Sequence, residues 1–364
     1  CWMRYVPHEY QEYAKEFIIS HKVSALFLDC GLGKTVITLT AIWELLFDYF
    51  DIRKILIIAP LRVCYLTWPS ELEKWDHLSG VGMSAVLGSE KERIAALGRR
   101  AQVYVINREN VEWLVENHTW DFDMVVIDEL SSFKSHKAKR FKALKKVRPM
   151  VRRIVGLTGT PAPNGLIDLW AEIGILDMGQ RLGRFIGGYR ERFFVPDKRS
   201  REMVYSYKPR EGAEDTIYEL ISDICISMKA VDYLDMPECV YNRVEVILTE
   251  KEMALYEHLE RDMLLPFSDG DIDAVNAAAL SNKLLQMADG AVYDENGNVK
   301  HIHDRKLEAL EDLVEAANGK PVLIAYWYKH DLDRLKKRTG AVELDMAEDM
   351  RKWNAGEIPV AAIH

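Results

Sequence analysis

Two short stretches of the sequence carry residue types suited to phosphate chemistry. Asp29-Cys30-Gly31-Leu32-Gly33-Lys34-Thr35 follows an apolar run and precedes a helical one, the setting in which a glycine-bearing turn can wrap a phosphate. Gly31 and Gly33 tolerate backbone angles that turn successive amide hydrogens inward, and a helix starting here offers its unpaired N–H groups at the same point. Lys34 would then set its ammonium against the β and γ phosphates of a nucleoside triphosphate, and Thr35 its hydroxyl on Mg²⁺. The general pattern asks for a further glycine five residues before Gly33, where this chain has Leu28.

The second stretch is Val125-Val126-Ile127-Asp128-Glu129, which puts two carboxylates at the end of a buried strand, the edge at which open α/β sheets bind ligands. Asp128 is placed to hold Mg²⁺ and Glu129 to take a proton from a water attacking the γ phosphate. Side chains alternate along a strand, so the two acids point apart and suit two different tasks. An isolated acid here would read as a helix cap; the upstream glycine turn is what favours the metal and proton roles. A third stretch, Gly156-Leu157-Thr158-Gly159-Thr160-Pro161-Ala162-Pro163-Asn164, ends another apolar run in hydroxyls, a glycine and two prolines. A stiff turn with short donors, Thr158, Gly159 and Thr160, can sense an occupied phosphate site and relay the change.

These residues need a sheet to hold them. Apolar runs at Val23 to Leu28, Ile55 to Ile58, Val103 to Ile106, Met124 to Ile127 and Ile154 to Leu157 alternate with helical stretches such as Thr35 to Leu46. Continuous rather than alternating apolar strands predict an α/β parallel sheet covered on both faces. After Leu176 the texture changes: residues 179–201 are rich in Gly, Arg and Phe, and Glu211 to Met228 reads as a helix. A second α/β unit is expected from about residue 237, with a strand at Tyr241 to Leu248, helices at Glu250 to Leu264, Ala274 to Met287 and Lys306 to Ala317, a small hairpin near residues 289–298, and a buried strand at Pro321 to Ala325. The expected division is 1–176, a nucleotide-binding domain; 177–236, a basic and aromatic insertion and linker; and 237–364, a partial second domain. At 364 residues the chain has room for two cores, since single cores seldom exceed roughly 250 residues.

Composition narrows the class. With 48% hydrophobic and 29% charged residues, the chain is an ordinary globular protein rather than a disordered or fibrous one. Five cysteines without C-x-x-C spacing suggest neither zinc nor a disulfide framework, which fits a reducing cytoplasm. Apolar runs of about six residues fall far short of the roughly 20 that cross a bilayer, so no membrane partner is expected. The formal charge of −9 argues against a wholly basic coat but not against a local track. From Lys134 to Arg153 the chain carries Lys134, Lys137, Lys139, Arg140, Lys142, Lys145, Lys146, Arg148, Arg152 and Arg153 and no acid, a field of the right sign for a phosphate backbone. A second basic group, Arg181, Arg184, Arg190, Arg192, Lys198, Arg199 and Arg201, is interleaved with Phe185, Phe193 and Phe194.

Taken in order, the motifs resemble superfamily 2 helicase-like ATPases of the Swi/Snf type, and more loosely the compact phage and bacterial members. Asp29 to Thr35 is similar to motif I, one residue short at Cys30. Ile58-Ala59-Pro60 with Trp68, Glu71 and Trp75 resembles motif Ia and its surroundings. Asp128-Glu129-Leu130-Ser131 resembles motif II, where the family often has D-E-A-H, and Leu157 to Asn164 resembles motif III. Pro7 to Gln11 is similar to the opening segment whose glutamine reads adenine, Asp232 to Pro237 to the lead into the second lobe, and Pro321 to Trp327 to motif IV. The resemblance implies tandem RecA-like P-loop lobes using ATP and Mg²⁺. It also implies that Gln11, Gly31, Leu32, Gly33, Lys34 and Thr35 bind nucleotide, that Lys34, Asp128 and Glu129 are catalytic, and that hydrolysis drives translocation on double-stranded DNA. Lys137, Lys139, Arg140, Lys142, Lys145 and Lys146 are the expected backbone contacts. Motifs V and VI are not found before His364, so the expectation is an incomplete second lobe and weak turnover, in a cytoplasm that is a host's if the protein is viral. An RNA or single-strand helicase and a nucleotide-binding scaffold with little turnover stand as alternatives.

Overall fold

The computed structural model describes residues 2–163, 165–197, 206–234, 240–262, 264, 265, 272, 273 and 277–364. Asn164, Lys198, Arg199, Arg201 and Asp235 to Pro237, singled out above, lie outside the described residues. The chain divides into two compact units, Cys1–Pro237 and Glu238–His364.

The first unit is built on seven strands: β1 (Val23–Leu28), β2 (Ile55–Ala59), β3 (Met83–Val86), β4 (Val103–Asn107), β5 (Met124–Asp128), β6 (Arg153–Thr158) and β9 (Cys225–Met228). All pair in parallel, in the order β3-β4-β2-β5-β6-β1-β9. The helices between them are α1 (Glu9–Ser20), α2 (Lys34–Phe47), α3 (Leu61–Tyr65), α4 (Thr67–Lys74), α5 (Glu90–Leu97), α6 (Val111–Asn117), α7 (Lys139–Val147), α8 (Leu169–Asp177), α9 (Ile186–Phe193) and α10 (Ala213–Ile221). A short antiparallel pair, β7 (Phe194–Pro196) with β8 (Tyr207–Pro209), follows α9. Alternate residues of each strand enter opposite cores: Ala25, Phe27, Val125 and Ile127 face one layer of helices, and Leu26, Leu28, Met124 and Val126 the other. Two buried faces explain why these strands are apolar throughout.

Residues 177–236, expected as a basic and aromatic insertion and linker, include the edge strand β9. The expected helix from Glu211 to Met228 stops at Ile221, because Cys225 to Met228 pair with Ala25 to Leu28 of β1. Phe193 and Phe194 are buried in the core, whereas Phe185 is 80% exposed.

The second unit contains α11 (Glu250–Asp262), a two-residue pairing of β10 (Leu264–Leu265) with β11 (Ile272–Asp273), α12 (Ala277–Ala288), and a hairpin of β12 (Ala291–Tyr293) with β13 (Val299–His301). After α13 (Arg305–Ala316) come β14 (Val322–Ala325), α14 (Lys329–Thr339), β15 (Val342–Glu343), α15 (Ala347–Asn354) and β16 (Val360–Ile363), the three strands forming a parallel sheet ordered β14-β16-β15. Its core joins Leu307, Ile324, Leu335, Val360 and Ala362. Two expectations differ. Residues 241–248 form no strand; Val244 and Val246 line one cavity with Leu307 and Leu310. Strand β14 is an edge rather than a buried strand, with Leu323 52% exposed. Among the described residues no helix is long and apolar enough to cross a membrane.

Candidate active site

Sheet register brings the three motifs to one edge. β6 lies between β1 and β5, pairing Phe27 with Thr158 on one side and Asp128 with Leu157 on the other. The turn after β1, the acids after β5 and the loop after β6 therefore emerge side by side. Gly31 and Gly33 take φ values of 89° and 80°, the left-handed region that side chains with a Cβ avoid. Gly33 is the N-cap of α2, which has no side-chain cap among the described residues, so its first amides stay free to meet an anion.

A cleft of about 740 Å³ opens over this edge, lined among others by Gln11, Gly31, Gly33, Lys34, Thr35 and Asp128. The Lys34 ammonium donates to the carbonyls of Leu28 (2.6 Å) and Asp29 (3.2 Å). Gly159 fits against the same corner: a Cβ there would stand 3.3 Å from the Leu28 oxygen and 3.6 Å from Lys34 Nζ. Gln11 is buried at the rim; its Oε1 accepts from the His8 amide (3.0 Å) and the Tyr5 hydroxyl (3.4 Å), and its Nε2 donates to the Leu32 carbonyl (3.3 Å). Leu32 itself is fully buried, so it can offer the cleft only main chain.

Asp128 is held by the Nε1–H of the buried Trp68, which donates to Oδ2 at 2.9 Å. Burial pushes the Asp128 carboxyl above the usual carboxylate range; the indole hydrogen bond and the Lys34 charge oppose that, and the neighbouring Glu129 adds to it. Glu129 has φ 62°, a strained backbone for a residue with a Cβ. Its Oε1 accepts from the Ser131 hydroxyl and, at 2.7 Å, from the Thr158 hydroxyl, while the Thr160 amide donates to Thr158 Oγ1 at 3.1 Å. The acid of one strand end is thereby tied to the loop of the next.

The basic run separates into two kinds of residue. Lys137, Lys139, Lys142, Lys145 and Lys146 are exposed. Arg140 donates to the Ser132 carbonyl, Arg148 is buried on the carbonyls of Val151 and Leu176, and Arg152 and Arg153 pair with Asp51. In the second basic group Arg181 is engaged by Asp177 and Asp223, and Arg190 lies over the Tyr207 ring. His136 is held below its usual range by burial and by Lys137, Arg190, Lys142 and Lys145, cations from α7, the loop before it and α9. Trp68 as a partner of Asp128 was not foreseen; its signal in the sequence was only its place in the W-x-x-E segment.

Trp68→Phe tests that contact. Partners of a metal ligand commonly contribute 10–100-fold, so if Asp128 holds Mg²⁺, as the sequence leads one to expect, the Mg²⁺ concentration for half-maximal hydrolysis should rise about tenfold while affinity for metal-free nucleotide stays put. An unchanged Mg²⁺ dependence would reduce the indole to packing.

The SNF2-related domain model matches residues 10–303. Among curated proteins, the chain is 38% identical over 371 aligned residues to the putative protein p41 of Acyrthosiphon pisum secondary endosymbiont phage 1, covering 99% of this chain and 81% of that protein. It is 29% identical over 222 residues to the DNA repair and recombination protein RDH54 of Saccharomyces cerevisiae strain YJM789, covering 53% of this chain but only 24% of RDH54, so it spans about a quarter of that relative. The Sulfolobus solfataricus SWI2/SNF2 ATPase core, solved in complex with dsDNA, matches with a TM-score of 0.54 at 19% identity, over 99% of this chain and 78% of that one, a likeness of fold. Together with a RecA-like parallel sheet bearing the phosphate turn and paired acids, the domain match shows that the chain belongs to the SNF2-related family of superfamily 2 helicase-like ATPases.

Proposed function

We propose that the protein is a DNA-dependent ATPase whose hydrolysis drives movement along double-stranded DNA. One observation carries the reading: Lys34, Thr35 and Asp128 line a single cleft, and Glu129, the residue after Asp128, is hydrogen-bonded to Thr158 of the adjacent strand. The triphosphate lies along Gly31 to Thr35, with the Lys34 ammonium moving from the Leu28 and Asp29 carbonyls to the β and γ oxygens. Gln11 uses Oε1 and one N–H internally, leaving its second N–H for the adenine edge.

Thr35 and Asp128 would hold Mg²⁺. A hydroxyl and a carboxylate in one cleft are hard oxygen donors, which suits an ion that keeps several of its waters; when bound, it would neutralise charge on the transferring phosphoryl group. Glu129 takes the proton of the attacking water as the bond from the γ phosphorus to the ADP oxygen breaks. Because Glu129 is held through Thr158, and Thr158 through the Thr160 amide, a change at the acid reaches Thr158, Gly159 and Thr160 directly.

The relatives support the polymer: one is a DNA repair and recombination protein and another was solved with dsDNA. The exposed lysines of α7 and the loop before it are suited to the phosphate backbone, which sets affinity without reading bases. Duplex DNA should therefore stimulate ATP hydrolysis by the intact protein, with little sequence preference. Replacing Lys145 and Lys146 together with alanine should lower the salt slope of duplex binding by about two, one for each phosphate that the protein no longer neutralises, with ATP affinity unchanged. An unaltered slope and affinity would place the duplex contact away from Lys145 and Lys146, an absence of duplex binding would favour a nucleotide switch that binds no polymer, and directional unwinding of a tailed duplex would favour a strand-separating helicase.

A further inference from the structure

Under the hydrolytic residues lies an acid that this mechanism does not use. Glu172, in the middle of α8, is 0% exposed, and neither carboxyl oxygen makes a well-formed hydrogen bond among the described residues. An unpaired carboxylate in such a place is costly enough that the group keeps its proton instead. Burial, and next Asp168 one turn earlier, push the Glu172 carboxyl up to about 7; Glu129 adds to the rise, while the Ala162 amide and Lys134 oppose it.

The packing explains which charges it meets. α8 rests on the turn Leu130–Phe133, on β1, on β6 and on α7. Glu129 heads that turn and Lys134 ends it. β1 has no ionisable side chain. The charged residue of β6, Arg153, sits at the strand's opposite end, paired with Asp51, and α7 directs Arg140 to the Ser132 carbonyl. From α10 the Tyr218 phenol is raised mainly by burial, then by Glu214 and by the Glu172 charge. The charges that act on Glu172 thus come from its own helix and from the two ends of the turn on which that helix rests. Two of the groups that act on Glu172 belong to residues with left-handed backbones, Glu129 (φ 62°) and Ala162 (φ 53°). Such backbones persist only where the surroundings hold them.

We infer that Glu172 is a positioning residue for hydrolysis: while it is neutral, the turn headed by Glu129 and the loop containing Ala162 keep their packing, and its ionisation loosens them by repulsion of Glu129 and Asp168. The inference rests on Glu129 acting as the base. Glu172 and Asp168 themselves stand outside the nucleotide motifs.

Glu172→Gln keeps the size and fixes the neutral form. DNA-stimulated kcat should be the same in variant and wild type at pH 6. At pH 8.5 the wild type should fall about tenfold below the variant, since small displacements of a reacting group are costly, with KM for ATP equal in both. Thermal melting provides a readout free of catalysis. The folded carboxyl binds its proton more tightly than the unfolded one, whose ordinary value is 4.5. Wild-type stability therefore falls as pH rises between 4.5 and about 7 and is level above. The Gln variant lacks that fall, so its Tm should exceed the wild type's by about 5 °C at pH 8 and by little at pH 5. Glu172→Leu, also neutral, should show the same flat pH dependence whatever its packing defect. A constant activity ratio at every pH, or parallel melting curves, would overturn the proposal. If instead Glu129→Gln remains fully active while the melting difference appears, the functional reading has failed and the buried proton stands.

Discussion

Lys34→Ala should weaken ATP binding by about a hundredfold or more, corresponding to about 3 kcal/mol, the scale of charge-assisted hydrogen bonds to a phosphate. Hydrolysis should become undetectable with it. The ammonium bridges the carbonyls of Leu28 and Asp29, at the corner where the turn after β1 meets Gly159 of the loop after β6. These partners are neutral main-chain groups, so its charge is available to a polyanion entering the cleft beside Gly31, Gly33 and Thr35. The fold should survive, because α2 is anchored by Val36, Ile37, Leu39, Ile42 and Leu45 rather than by its first residue. Calorimetric titration with a non-hydrolysable ATP analogue checks this directly. Near-native affinity in the alanine variant would mean that the cleft over β1 is not the nucleotide site.

How much of this the sequence revealed depends on the kind of information each feature needs. β1, β2, β4, β5 and β6 are buried on both faces, so their apolar runs announced them. β3, Met-Ser-Ala-Val, was missed because it is short and buries Ser84, whose hydroxyl is satisfied by the Ala96 carbonyl. β9 was concealed inside a helical pattern: Ile217, Ile221 and Ile224 continue a helical spacing past the true end of α10, and only pairing with β1, some 200 residues away in sequence, decides otherwise. The site was legible where local chain geometry creates it, as in the glycine turn that α2 follows. It was hidden where chemistry depends on distant neighbours. A run of basic residues does not reveal that Arg148 and Arg153 serve the core while Lys145 and Lys146 face outward. Nor does Leu-Trp-Ala-Glu-Ile announce that its acid will be buried where α8 rests on the turn headed by Glu129; one glutamate within an apolar stretch was the only hint.

Glu129→Gln separates chemistry from binding. The amide keeps the length of the side chain and an oxygen that can accept from Thr158 and Ser131, so the contacts now made by Oε1 and the left-handed backbone at this residue have no reason to change. What the amide cannot do is accept a proton. General-base catalysis contributes typically 10²–10⁴-fold, and kcat should fall by about 10³ with ATP affinity within about twofold of wild type. Lys34→Ala and Glu129→Gln therefore fail differently, the first in binding and the second only in turnover. Duplex affinity measured with ATP bound should persist in the glutamine variant, because the cleft still fills and the Thr158 to Thr160 contact survives. Single-turnover hydrolysis alongside nucleotide titration distinguishes the cases. A glutamine variant retaining a tenth of the wild-type rate would place the proton acceptor elsewhere, and the carboxylate at the end of β5 would then act through Thr158 on the loop rather than on water.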